Sequence, residues 1–231
     1  MPIRRAPQFE AWSWSRLGDW EECPLKARLK HLDKIKEPGG PALERGSTIH
    51  KEAEGYVRGR LPDLPPSLDR FFEEFAALRA RKDVETERQL AVNAKWEPCE
   101  WFGADAWLRV VIDCTYAGAT DSESGRNVID YKTGKVRPSN DDQLDLYNLV
   151  EISYYPLVKR VDSHLWYLDQ GEVSSRSLLR AEAAALRKRW ERRVKPMLAD
   201  QKFDPKPADG CCWCFYGMAG TAKGGPGTCK Y

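Results

Sequence analysis

The hydrophobic period of this chain changes at about residue 86, and that change limits the fold more than any other feature. Beyond it, Glu87 to Val92, Trp107 to Tyr116 and Asn127 to Lys132 alternate with the two-residue period of strands. The polar segment Ala117 to Arg126 is expected to join the second and third as an antiparallel hairpin. Before residue 86 the spacing is helical. A helix within residues 12 to 36 has Ser13 or Ser15 as its cap and turns Leu17, Trp20 and Leu25 inward, with Pro24 where it kinks or restarts. Pro38-Gly39-Gly40-Pro41 breaks the chain. A second helix starts near Ser47 or Thr48 and buries Ile49, Ala53, Tyr56 and Val57. Leu61 to Pro66 is a loop, and residues 67 to 82 form a third helix through Phe71, Phe72, Phe75 and Leu78. Downstream, Asp141 or Asp142 caps a helix through Val150, His164 to Leu168 is a strand, and residues 178 to 199 make a long helix. Pro205 onward is irregular. This order predicts an α/β fold with a mixed central sheet flanked by helices.

With 231 residues, 42% hydrophobic and 31% charged, the chain reads as a single globular domain spanning 1–231 rather than a disordered or coiled-coil protein. No apolar run approaches the roughly 18 residues that cross a bilayer, so no membrane partner is expected. Met1 to Phe9 has arginines but no apolar stretch behind them, which points to a cytoplasmic protein. A net charge of +2 leaves a nucleic-acid partner to be decided by local patches.

Asp130-Tyr131-Lys132 carries the sharpest local chemistry. Residues i and i+2 of a strand share a face, so Asp130 and Lys132 point together and Tyr131 points away. Asp113 ends the apolar run Val110-Val111-Ile112, where a carboxylate is costly unless paired or bound to metal. If the hairpin register sets Asp113 beside Asp130, two carboxylates and a lysine converge. Such a group holds Mg²⁺ or Mn²⁺, which activates water and neutralises a phosphate, while the lysine orients the nucleophile. His50, with Glu54 one turn later, and Gln143 with Tyr147 are further candidates, though taken alone His50 reads as a helix-surface or core histidine and the other pair as an ordinary amphipathic helix.

Cysteines supply a second signal. Cys211 and Cys214 form one Cys-x-x-Cys, Cys229 follows a Gly-rich loop, and Cys23 lies far upstream. In a reducing compartment such a set reads as a metal site before it reads as disulfides, and four thiolates suit structural Zn²⁺. Cys212 is the rival to Cys211, and Cys99 and Cys114 read as buried thiols. A basic run, Arg187, Lys188, Arg189, Arg192, Arg193 and Lys195, is either a solvated helix face or part of a DNA path. Trp12, Trp14 and Trp20 are expected in the core rather than stacked on bases.

Taken together these residues resemble the PD-(D/E)xK nuclease superfamily, in its RecB-like and Cas4-like exonuclease branch. The matching segments run in order: Ser15-Arg16-Leu17 with Glu22-Cys23-Pro24, Gly46 to His50, Val111-Ile112-Asp113, Ile129 to Gly134, and Gln143 to Tyr147. The resemblance implies a restriction-endonuclease-like core and a metal-dependent DNA exonuclease acting in recombination, repair or phage replication. It implies that His50, Asp113, Asp130 and the Tyr131 carbonyl ligate the divalent metal, and that Lys132 positions the attacking water. Gln143 and Tyr147 would contact the DNA backbone or steady Lys132, and Glu54 would be a secondary candidate. It also implies a [4Fe-4S] cluster on Cys23, Cys211, Cys214 and Cys229, joining residues 1–40 to residues 205–231 as a clamp, with Zn²⁺ as the alternative. A homo-oligomer or a recombination or replication partner protein would fit this setting. The competing reading is a non-catalytic or partner-dependent DNA-binding module that keeps the fold and the clamp.

Overall fold

A computed structural model describes residues 8–120, 123–137 and 140–231, which leaves the N-terminal arginines and the tip of the expected hairpin outside the described residues. The chain divides into two compact units, residues 1–38 with 190–231, and residues 39–189.

In the first unit, Ser13 caps α1 (Trp14–Glu22), its hydroxyl accepting the Arg16 N–H at 3.3 Å. Pro24 opens α2 (Pro24–Ala27), so the helix restarts there because proline lacks the N–H an interior position needs. A π turn, Arg28–Leu32, follows. Trp12 is fully buried and stacks on Trp190, and the Arg193 guanidinium lies over Trp14 and Trp190 while pairing with Glu21. Trp20 donates to Asp200 at 2.8 Å. These tryptophans are committed to packing. Leu29, Phe215 and Tyr216 form a small core in the same unit.

The second unit is built on a six-stranded sheet in the order β2-β1-β3-β4-β5-β6. Its helices begin with α3 (Pro41–Val57), which starts earlier than Ser47 because Pro41 serves as its first residue instead of ending a break. A 3-10 turn, Pro66–Phe71, leads into α4 (Phe72–Ala80). Then come β1 (Glu85–Val92), the two-residue β2 (Pro98–Cys99), β3 (Leu108–Thr120) and β4 (Glu123–Lys132). The hairpin strands run well into the stretch expected as loop, with Ala117 paired to Arg126 and Gly118 to Gly125. Polar residues there keep strand pairing because backbone hydrogen bonds, not apolar faces, hold a ribbon's outer end.

Next, α5 (Asp141–Tyr154) links β4 to β5 (Arg160–Tyr167), and that is the only parallel pair in the sheet as described. A parallel pair needs such a crossover. Residues Leu144 to Ile152 of α5 are all buried, as befits a helix enclosed on every side. An edge strand, β6 (Glu172–Leu179), precedes α6 (Ala183–Ala199), so the long helix starts after Leu178. Only Leu178 of β6 is buried, which is why its sequence carries no strand period. The unit boundary falls within α6, between Arg189 and Trp190. One face of the sheet presents Cys114, Ile129, Tyr131 and Trp166 to a core with Ile49, Ala53, Phe71 and Phe75. Cys114 is fully buried, and burial pushes its thiol up to about 12; Cys99 is only half-buried.

Candidate active site

The hairpin register decides whether the two carboxylates meet. Cys114 pairs with Ile129, so Asp113 and Asp130 are the next positions on adjacent strands. Here the backbone ladder stops and a side chain replaces it. Asp113 Oδ2 accepts the Tyr131 N–H at 2.6 Å, and Asp113 Oδ1 meets His50 Nδ1 at 3.2 Å. The Tyr131 ring lies in the core, where it packs against Phe75 and meets the His50 ring edge-on. Its phenol is pushed well above the usual range by burial.

Asp130 is buried and surrounded by donors. Tyr147 donates to its Oδ1 at 2.8 Å and Gln143 Nε2 at 3.3 Å, while Lys132 Nζ stands 2.6 Å from Oδ2. Lys132 also donates to Gln143 Oε1 at 2.9 Å. Gln143 and Tyr147, one turn apart on α5, therefore contact both the carboxylate and the lysine. Burial, with Asp113 nearby, raises the Asp130 pKa against the opposing pull of Lys132 and Tyr147. For His50, burial works against protonation, but the hydrogen bond and charge of Asp113 outweigh it and the pKa is raised.

Gly46 sets how closely α3 approaches this turn. A Cβ there would lie 3.3 Å from Thr133 Oγ1, so glycine lets the helix sit against the residue after Lys132. One turn later the same helix face delivers His50. Asp169 ties the two segments further, accepting the Gly134 N–H at 2.7 Å and both Arg45 nitrogens at 2.9 and 2.5 Å.

Among the described residues, His50, Glu87 and Asp113 form a group whose ligand atoms all lie within 4.8 Å of one another. Mixed nitrogen and oxygen donors of this kind suit a divalent first-row metal. Asp130 is outside that group, and Glu87, which the periodicity marks only as the start of a strand, is inside it. The residue carries no motif that would reveal this, because its placement depends on a backbone inversion. Burial and the Asp113 charge raise the Glu87 pKa. Glu54 is held by Arg58 and Arg60, at 3.2 and 2.8 Å.

The remaining candidates are partly redirected by their neighbours. Arg187 donates to Ser153, Arg189 to Asp142 and Asp145, and Arg193 to Glu21, so half of the basic run is engaged within the protein. Lys188, Arg192 and Lys195 are exposed along one stripe of α6. In the first unit, Cys23, Cys211, Cys214 and Cys229 line one cavity, and Cys212 does not. Backbone N–H groups of Lys206 and Ala208 point at the sulfurs of Cys23 and Cys211, both at 3.4 Å. The thiols are not drawn together around a single-ion position, since no cysteine belongs to a convergent donor group among the described residues.

No curated protein matches the chain. Among solved structures, one described as the crystal structure of SSO0001 aligns over 92% of this chain and 87% of its own, at 15% identity and a TM-score of 0.45. The model of the PD-(D/E)XK nuclease superfamily matches residues 11–219, nearly the whole length. A mixed sheet that ends in a carboxylate pair, an adjacent lysine and a histidine agrees with that match, and the chain belongs to the PD-(D/E)XK nuclease superfamily.

Proposed function

We propose that this chain is a metal-dependent deoxyribonuclease, an exonuclease of the RecB-like and Cas4-like branch. The observation that carries the reading is the meeting of Asp113 and Asp130 across β3 and β4, with Lys132 and His50 beside them. A divalent cation held by His50 and Asp113 would polarise the phosphodiester and lower the pKa of attacking water. His50 contributes a nitrogen donor, which favours Mn²⁺ over a site built from oxygens alone. Lys132 orients the nucleophile, Gln143 fixes Lys132, and Tyr147 fixes Asp130. The buried setting keeps these charges strong. Exposed Lys188, Arg192 and Lys195 offer phosphate contacts that carry no base specificity.

The cysteines of the first unit support a second cofactor. Four thiols lining one cavity, two of them facing backbone N–H donors, suit a [4Fe-4S] cluster, whose sulfur ligands commonly receive such bonds. Structural Zn²⁺ would use the same thiols. The setting follows the resemblance: DNA recombination, repair or phage replication in the cytoplasm.

End-labelled linear DNA and closed circular DNA, single- and double-stranded, test the reading with Mg²⁺ or Mn²⁺. Linear substrate should be digested, circles spared, and activity should fall on the order of 10³-fold in both Asp130→Ala and Lys132→Ala. Analysis of the same preparation for iron, sulfide and zinc separates the two cluster readings. Intact protein that cuts nothing with either metal would overturn autonomous catalysis and favour the partner-dependent DNA-binding module.

A further inference from the structure

Glu87 lies in the first half of β1 with φ +52°, in the left-handed region. A residue with a side chain rarely adopts this conformation, because its Cβ crowds the neighbouring carbonyl oxygen. The neighbouring register is regular, Thr86 opposite Cys114 and Arg88 opposite Ile112, so Glu87 stands across from Asp113.

Two anchors hold the inversion in place. Thr86 receives Arg58 on its hydroxyl at 2.6 Å and on its carbonyl at 3.0 Å. Arg88 reaches Tyr155 at 2.7 Å and Glu151 at 3.5 Å, both on or beside α5. In a regular strand residues 86 and 88 would share a face. Here they serve different partners, and the residue between them is rotated. The rotation brings the Glu87 carboxylate to His50 and Asp113. Placing a second carboxylate beside Asp113 adds like-charge repulsion to the backbone cost. Nearby His50 and Arg58 offset part of these costs, and a bound divalent cation would offset more.

Asp130 has a different environment. Its oxygens face Lys132, Tyr147 and Gln143, and it lies outside the convergent group. Resting on the nuclease reading, we propose that Glu87 is a direct ligand of the divalent cation together with His50 and Asp113. The left-handed turn of β1 at Glu87 is the device that aims it.

Mn²⁺ titration of the full-length protein, freed of exchangeable divalent cations but with its cysteine-bound metal retained, tests this without DNA when followed by electron paramagnetic resonance. Glu87→Gln should weaken Mn²⁺ binding at least tenfold, because loss even of outer-shell partners costs 10- to 100-fold. The bound ion should show nitrogen coupling that disappears in His50→Ala. Glu87→Gly separates fold from ligation: relieved of the positive φ, it should melt no lower than the parent when metal-free, and still bind Mn²⁺ at least tenfold more weakly. Parent-like affinity in Glu87→Gln overturns the proposal. Glu87-dependent Mn²⁺ binding without DNA cleavage would sink the nuclease reading and leave this assignment standing. Cleavage with Glu87-independent binding would do the reverse.

Discussion

Asp113→Ala is expected to abolish cleavage and to loosen β4 as well. Two jobs fall on one carboxylate: Oδ1 faces His50, and Oδ2 accepts the Tyr131 N–H at 2.6 Å where the β3–β4 ladder ends. Alanine removes both, leaving a buried N–H without its acceptor, at a cost of about 1–3 kcal/mol. Asp113→Asn separates the jobs. Its amide oxygen can still accept from Tyr131, so stability should return to within about 1 kcal/mol of the parent, the size of an ordinary hydrogen-bond difference. The charge that would bind the cation is gone, and activity should stay down by roughly 10³-fold, equivalent to about 4 kcal/mol of transition-state stabilisation. Urea melts and cleavage rates of the two variants check this. An active Asp113→Asn would remove the carboxylate from the metal site.

The largest stability effect is expected at Arg126. Glu151 is fully buried on α5, and Arg126 Nε donates to it at 2.5 Å while Nη2 donates to Thr115 at 3.0 Å. Arg88 approaches the same carboxylate only at 3.5 Å. Arg126→Leu therefore strands a buried charge, which typically costs 3–5 kcal/mol, out of a usual total of about 5–15. The pH dependence follows from the direction of the shift. Burial already raises the Glu151 pKa above the ordinary value, and the positive charge of Arg126 opposes that rise. Without Arg126 the folded-state pKa climbs further while the unfolded one is unchanged. A group whose folded pKa is raised binds its proton more tightly when folded, so stability falls as pH increases between the two values. The deficit relative to the parent should be full at neutral pH and should shrink on acidification toward the unfolded glutamate pKa. Arg126→Met combined with Glu151→Leu should recover much of the loss, since an apolar pair removes the stranded charge. A deficit that does not vary with pH would show that packing around Tyr155, whose ring the guanidinium covers at 3.9 Å, is what was lost.

Much of the site was legible because its residues contradict their surroundings. A carboxylate inside an apolar strand, as Asp113 is in β3, demands a partner, and a strand that alternates Asp130 and Lys132 sends both to one face. The i to i+4 spacing of Gln143 and Tyr147 placed them together, though only the folded chain shows that they grip Lys132 and Asp130. Glu87 was not legible. Its role depends on a left-handed backbone within a strand, and no residue type there announces it. For β6 the reason is burial: one inward leucine gives no period to detect. The outer ends of β3 and β4 were hidden for a related reason, since glycine, serine and glutamate read as loop while their backbones pair as strand.

The close seat of Gly46 against Thr133 bears on how such a sequence can drift. Position 46 sits one helical turn before the histidine and position 133 directly follows the lysine, so a bulkier residue at either one presses on both. A Cβ at 46 asks the Thr133 side chain to give by a few tenths of an ångström, so the effect of a change at one position depends on what stands at the other. The two motifs, 87 residues apart in the chain, are coupled through this one contact, and substitutions at 46 and 133 should be non-additive.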